Sequence, residues 1–257
     1  MTGSTRKPIP GNRTPLAAAI GRSLDIYYRD TERTARMDRF HAHLVGPGAR
    51  VFDIGAHLGD RTGSFLRLGA SVVALEPQPH VFRALRLLYR KSADAVLLPV
   101  AAGARQGEQV LHLNLRNPTV STLNTGFITA AAGAPGWQDQ VWEDSVTVPV
   151  TTLDALIARY GRPDFVKIDV EGHEPAVLQG LSTPLPALSF EFTMIQRNAA
   201  HACLSRLAGL GRYEYNYSLG EEHAWHHDRW LAPEAMHRTL GSLPQCANSG
   251  DIYARQV

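Results

Sequence analysis

The stretch Val51–Thr62, VFDIGAHLGDRT, decides how the chain is read. Val51 to Ile54 is a short apolar run of the kind that forms a buried strand. Asp53 sits at its end, Gly55 opens a tight turn, and a helical segment follows from about Asp60 to Leu68. A strand–turn–helix of this type holds its ligand beyond the carboxyl end of the strand. A dinucleotide would require G-x-G-x-x-G, so that the backbone can approach a pyrophosphate. Here His57 occupies the second glycine position. Asp60 at the helix opening adds a negative charge where a phosphate would need the opposite. Asp53 and Asp60 instead suit a ligand carrying an ammonium and a sulfonium, and S-adenosylmethionine carries both.

The neighbouring segments agree. Ser71–Leu75 (SVVAL) reads as a second strand and ends in Glu76. An acid about twenty residues past the first turn can accept both hydroxyls of a ribose. Pro77 and Pro79 suit the first turn of a helix, which places Val81, Leu85 and Leu88 on one face. Ala95–Val100 gives a third strand, and this alternation predicts a doubly wound α/β sheet. From Gln109 to Leu115 and again over Val146, Val148 and Val150 the pattern alternates with period two. The Gly-, Ala- and Thr-rich stretch between them is too long for a turn. It predicts a β-hairpin and loop insertion over about 109–150 that closes on a ligand, with Ser121, Thr122 and Trp137 as lining.

The α/β rhythm returns at Thr151-Thr152-Leu153-Asp154, where a hydroxyl three residues ahead of an acid resembles a capping box. Phe165–Val170 is a strand, Pro175–Leu181 a short helix, and Ala187–Thr193 another strand. A helix near Ala199–Leu207 and strands near Tyr213–Tyr217 and Asp251–Ala254 complete the sheet. The polar, Pro- and Gly-rich opening reads as a flexible tail over residues 1–22. The remainder, 23–257, reads as one domain.

VFDIGAHLGDRT, VVALEPQP, VTTLDAL, FVKIDVEGHEPAVLQGL and LSFEF, in that order, resemble the FkbM-type family of S-adenosylmethionine-dependent methyltransferases. The closing DIYAR and the early YYRDTERTARM also look like that family's ends. The likeness runs from about Ile26 onward, and KIDVEGHE is its most specific part. It implies a Rossmann-like methyltransferase sheet of seven strands with the last antiparallel, and methyl transfer to a hydroxyl oxygen. It places cofactor contacts on Asp53, Gly55, His57, Gly59 and Glu76. His57 departs from the general pattern of three alternating glycines but fits this family's DIGAH form.

An alcohol acceptor needs a base or a cation for its departing proton. Lys167, Asp169 and Glu171 share strand parity, His173 follows in the turn, and Glu191 ends the adjacent strand. Asp169, Glu171, His173 and Glu191 are therefore the candidate catalytic cluster. Their oxygen and nitrogen donors would also suit a divalent cation, a reading that ranks below a general base. The bland alternative leaves Lys167 pairing a carboxylate inside the sheet and Glu174 opening a helix. His223, His226 and His227, with Trp225 and Trp230, form a second group that would be solvated or would cap the acceptor pocket.

Composition narrows the function further. The 257 residues are 44% hydrophobic with a net charge of +2. The dispersed basic residues give no nucleic-acid footprint, and no apolar run reaches membrane-spanning length. Cys203 and Cys246 form no metal or redox spacing, which favours a reducing, cytoplasmic setting. The expectation is an O-methyltransferase acting on a sugar, glycoside or polyketide-type small molecule. The rivals are a nicotinamide-dependent oxidoreductase and a non-catalytic nucleoside-binding protein.

Overall fold

The computed structural model describes residues 15–257. Two helices, α1 (Pro15–Arg29) and α2 (Thr31–His41), precede the sheet. Residues 15–22 of the expected tail are thus helical, and its remainder lies outside the described residues. The main sheet then builds through β1 (Arg50–Ile54), α3 (Asp60–Arg67), β2 (Ser71–Leu75), α4 (Pro79–Tyr89) and β3 (Ala95–Leu98). Three further strands, β4 (Ala101–Ala102), β5 (Gly107–Leu113) and β6 (Asp144–Thr151), form a separate small sheet in the order β4-β6-β5. The chain returns through α6 (Leu153–Tyr160), β7 (Phe165–Ile168), α7 (Glu174–Gln179), β8 (Ala187–Thr193), α8 (Arg197–Leu210), β9 (Tyr213–Leu219), α9 (Pro233–Ser242) and β10 (Ser249–Gln256). Inside the insertion lies α5 (Thr125–Ala131), a helix that the sequence reading took for loop.

The seven strands of the main sheet run in the order β3-β2-β1-β7-β8-β10-β9. β10 is antiparallel to both of its neighbours, and the pairings from β3 to β8 are parallel. β2 and β3 lie on one side of β1, and β7 and β8 on the other. The crevice where strand order reverses therefore opens at the carboxyl ends of β1 and β7. The expected seven-stranded Rossmann-like sheet with its last strand reversed is the architecture seen.

The parallel strands are buried on both faces, which is why they read as continuous apolar runs. Phe52, Ile54, Val166, Ile168, Leu188 and Phe190 fill one face together with α6, α7 and α8. Val51, Val72, Ala74 and Phe165 meet Phe40, Phe65 and Leu85 on the other. Each such large side chain removed from water contributes about 1.5–3 kcal/mol. One local expectation shifts by a residue. Thr152, not Thr151, caps α6 by accepting the Ala155 amide at 3.1 Å, while Asp154 accepts from the Ser182 amide at 2.9 Å. Thr151 stays in the strand, paired with Ala102.

The insertion docks on the rim of the crevice. Thr122 Oγ1 donates to the Glu171 carbonyl at 2.7 Å, and Asn124 Nδ2 donates to the Gly172 carbonyl at 2.6 Å. These contacts hold Glu171 at φ 54, a left-handed conformation costing a non-glycine residue on the order of 1 kcal/mol or more.

At the first turn, Gly55 has φ +84, and a Cβ there would lie 1.8 Å from the Asp169 carbonyl oxygen. Gly48, at φ +81, has open space around the same position. Gly48→Ala should therefore cost only the backbone penalty, about 1 kcal/mol. Gly55→Ala should cost clearly more, because β1 and β7 must also part. Urea unfolding midpoints of the two variants measure the difference, and equal shifts would contradict the close approach.

Candidate active site

One cavity opens at the switch point, lined by residues from β1, β2, β7, β8, the insertion, α1 and α3. Its first wall is the β1–α3 turn. Asp53 is buried there and accepts the Thr62 hydroxyl at 2.5 Å. Burial pushes its carboxyl up to about 6. Glu76, at the end of β2, is also buried and lines the same cavity. Its two oxygens accept the backbone amides of His57 at 3.1 Å and Gln78 at 2.7 Å. Burial outweighs these bonds and lifts its carboxyl to about 7. Each oxygen keeps a lone pair for a further donor.

His57 stands at φ 48 with its ring edge-on to Tyr27 of α1, centroids 5.9 Å apart. Both ring nitrogens are buried and have no protein partner. Burial lowers its pKa to about 4, so the ring is neutral near pH 7. Orphaned polar atoms in a cavity wall mark groups kept for a ligand. The Gly55 turn leaves no room for a side chain beside the Asp169 carbonyl. With Glu76 ready for paired hydroxyl donors, these residues fit the adenosyl and methionine parts of S-adenosylmethionine.

Gly59 does not join them. It caps α3 with its Cβ position against Leu85 and Tyr89, so it serves packing and lies outside the cavity lining. Asp60 lines the cavity, but its carboxylate is taken by Arg33 at 2.9 Å and Arg61 at 2.5 Å. The charge expected to meet a ligand cation is thus already balanced.

The second wall carries the acids of β7 and β8. Asp169, Glu171 and Glu191 bring carboxylate oxygens within 4.8 Å of one another. Lys167 Nζ reaches Asp169 at 3.2 Å and Asp251 on β10 at 2.5 Å. Burial, reinforced by the charge on Asp169, pushes the Glu171 and Glu191 carboxyls well above the usual carboxylate range. Three converging carboxylates, of which Asp169 pairs with Lys167, can hold or move a proton, and their oxygens are also of the type that takes a divalent cation.

His173 is not part of this cluster. It caps α7, and its Nε2 is buried without a partner on the side of Gly103, outside the cavity lining. The left-handed pair Glu171 and Gly172 turns the chain between the two positions, so strand parity fails after Asp169. Glu174 folds back to accept the Val170 and Gly172 amides at 2.9 and 3.2 Å and stabilises that turn.

Ser121 and Thr122 line the cavity as expected, whereas Trp137 packs edge-on against Phe127 at 5.3 Å. The histidine group is likewise drawn elsewhere. His223 and Trp225 pack on Phe40, His226 stacks on Tyr217, and Trp230 packs on Trp225. From that loop it is Glu221 that lines the cavity. Tyr27 and Glu221 come from elements whose packing only the tertiary structure reveals, and Arg61, directly after Asp60 in the opening stretch, enters the cavity from the first turn of α3.

The FkbM methyltransferase domain matches residues 53–223. A hexuronic acid methyltransferase, AglP of Haloferax volcanii, is 26% identical over 142 residues. The match covers 54% of this chain and 53% of that protein. Among solved structures, an O-methyltransferase from Bacillus cereus in complex with SAH aligns at a TM-score of 0.48 and 10% identity, over 93% of this chain and 91% of that one. A TehB-like SAM-dependent methyltransferase from Corynebacterium glutamicum aligns at 0.46 and 10%, over 93% and 96%. With the family match spanning most of the sheet, the chain belongs to the FkbM-domain family of S-adenosylmethionine-dependent methyltransferases.

Proposed function

We propose that this chain transfers a methyl group from S-adenosylmethionine to a hydroxyl oxygen of a small molecule, with a sugar or glycoside ahead of a polyketide-type acceptor. One observation carries the reading: the carboxylates of Asp169, Glu171 and Glu191 converge in the cavity that Gly55, His57 and Glu76 line. The hexuronic acid methyltransferase among the relatives supports a sugar acceptor.

The cofactor, when bound, supplies an electrophilic methyl on a positively charged sulfur. Glu76 receives the ribose hydroxyls, and neutral His57 offers its ring nitrogens without opposing that positive charge. The acids orient the acceptor hydroxyl, and Asp169, held by Lys167, takes its proton. Alignment can supply several kcal/mol and a positioned base roughly 10²–10⁴-fold in rate. Glu171 and Glu191, whose carboxyls burial shifts toward the protonated form, donate hydrogen bonds to neighbouring acceptor oxygens. The nicotinamide alternative is disfavoured by His57 in the place of the second glycine. The reading of a reducing, cytoplasmic setting rests on cysteine usage, two residues far apart in sequence with no metal or redox spacing. Among the described residues no helix is long and apolar enough to cross a membrane.

Glu76 gives a test with a defined sign. Its folded carboxyl ionises near 7 against an ordinary value of 4.5. Between those values the folded chain holds a proton that the unfolded chain lacks, so this group's contribution to stability falls as pH rises. Hydrogen bonds from ribose hydroxyls favour the ionised form. Affinity for S-adenosylhomocysteine should therefore rise as pH climbs through about 7, and Glu76→Gln should flatten that slope. At pH 8, Glu76→Ala should bind roughly 10- to 150-fold more weakly, the equivalent of about 1.5–3 kcal/mol. Calorimetry with S-adenosylhomocysteine and NADH reads both effects. Unchanged affinity in the alanine variant, or NADH binding in preference, would overturn the assignment.

Chemistry separates from binding at Asp169. Asp169→Asn should lower turnover about 10²-fold or more while cofactor affinity stays within a few fold. His173→Ala, outside the cavity, should keep turnover near that of the parent. Steady-state kinetics on an acceptor found by screening sugar hydroxyl compounds decides this, and full activity in Asp169→Asn would remove the base. If the carboxylates hold a divalent cation, chelation abolishes activity and added Mg²⁺ or Mn²⁺ restores it.

A further inference from the structure

Lysine and arginine side chains enter the cavity at two places, Lys167 and Arg61. Lys167 is committed to Asp169 and Asp251. Arg61, in the first turn of α3, is held differently. Its Nη1 pairs with Asp60 at 2.5 Å and its Nη2 with Glu221 at 2.6 Å. Arg33, on α2, joins the same two acids, pairing with Asp60 at 2.9 Å and also with Glu221. The two guanidiniums are almost out of water, their side chains 7% and 13% exposed, and Asp60 is 9% exposed. Glu221 is the odd member, with 47% of its side chain in solvent.

The charges balance only while Glu221 is present. Two guanidiniums against one buried carboxylate leave one positive charge, which Glu221 neutralises from a surface turn. That turn begins at Gly220, which has open space around its Cβ position. A half-exposed carboxylate can return to water at little cost, whereas the buried guanidiniums cannot. Arg33 Nη1 is also buried without a partner. Arg33 itself lies outside the cavity lining, its guanidinium over the Tyr27 ring at 5.2 Å, so it is Arg61 that meets a ligand carboxylate when Glu221 withdraws.

We propose that Arg61, supported by Arg33 through the acids they share, forms a carboxylate-binding subsite in the cavity wall, for which the carboxylate of Glu221 stands in until a ligand displaces it. The proposal rests on the cofactor reading above. The carboxylate can come from the amino-acid end of the cofactor or from an acidic sugar acceptor, and bidentate guanidinium recognition serves both. Displaced, Glu221 frees the turn after β9, so loading the cavity and moving that turn become one event.

The test is calorimetric and needs no turnover. The probes are S-adenosylhomocysteine, its decarboxylated analogue, methyl glucuronoside and methyl glucoside, each with the parent, Arg61→Gln and Glu221→Gln. If the cofactor supplies the carboxylate, the parent binds S-adenosylhomocysteine at least 10-fold more tightly than the decarboxylated analogue. Arg61→Gln then erases that ratio by weakening S-adenosylhomocysteine alone. Glu221→Gln, at an exposed position that spares the fold, tightens S-adenosylhomocysteine a few fold and leaves the analogue unchanged. If the acceptor supplies it, the same pattern appears between glucuronoside and glucoside instead. No discrimination within either pair, or equal weakening of S-adenosylhomocysteine and its analogue by Arg61→Gln, overturns the subsite alone. A parent that binds neither adenosyl ligand overturns the cofactor reading and the subsite with it.

Discussion

The carbonyl oxygen of Asp169 lies where a side chain on Gly55 would begin, 1.8 Å from the position of its absent Cβ. That approach brings the carboxyl ends of β1 and β7 together, reinforced by the Asp169 amide donating to the Ile54 carbonyl at 2.9 Å. Everything at the site hangs from this junction. It sets Asp53 and the His57 turn on one side and the Asp169–Glu171 turn on the other. It leaves between them a cavity that no side chain from the junction itself can fill. Parallel strands meeting at a switch point make such a crevice in general. A left-handed glycine at the crossing makes it this narrow.

The cavity built there is unusually rich in acid. Asp53, Glu76, Glu171 and Glu191 are held with carboxyls that burial shifts upward. Such groups cost folding free energy at neutral pH, because the ionised form is poorly solvated where it stands. A ligand that brings positive charge and hydroxyl donors recovers that cost, and a pyrophosphate would add to it. The same electrostatics explains the neutrality of His57. A protonated imidazole would be poorly solvated where His57 stands, and on the proposed function it would also face the sulfonium. Binding selectivity and a modest sacrifice of stability are thus one property.

Much of this was legible in the residues. Short apolar runs ending in Asp53, Glu76 and Asp169 identify strands buried on both faces with acids at one rim, and β1, β2, β7 and β8 fall within a residue or two of that reading. What strand parity could not supply is the path of the chain after a left-handed turn. His173 was placed with the acids because it follows them in sequence, yet Glu171 at φ 54 and Gly172 at φ 84 direct the chain elsewhere. Gly59 was grouped with a ligand turn, but its missing side chain makes room for Leu85 and Tyr89. The aromatic and histidine-rich loop answers to burial: Trp225 packs at a tilt on Phe40, centroids 4.4 Å apart, and edge-on against Tyr253 at 5.0 Å. Arg33 and Glu221, 188 positions apart, meet only after the sheet is complete, and no local pattern announces a pair so distant.

On the proposed function, the β1–β7 cavity holds S-adenosylmethionine or its demethylated product. Native mass spectrometry of the protein, purified without added ligand, addresses this most directly. Spraying the folded chain and releasing its bound mass by collisional activation should yield S-adenosylmethionine or S-adenosylhomocysteine. In Glu76→Ala, which removes the ribose acceptor and leaves the Gly55 crossing intact, that mass should be lost or strongly reduced while the chain stays folded. Release of a nicotinamide dinucleotide, or an adenosyl ligand retained undiminished by Glu76→Ala, would contradict it.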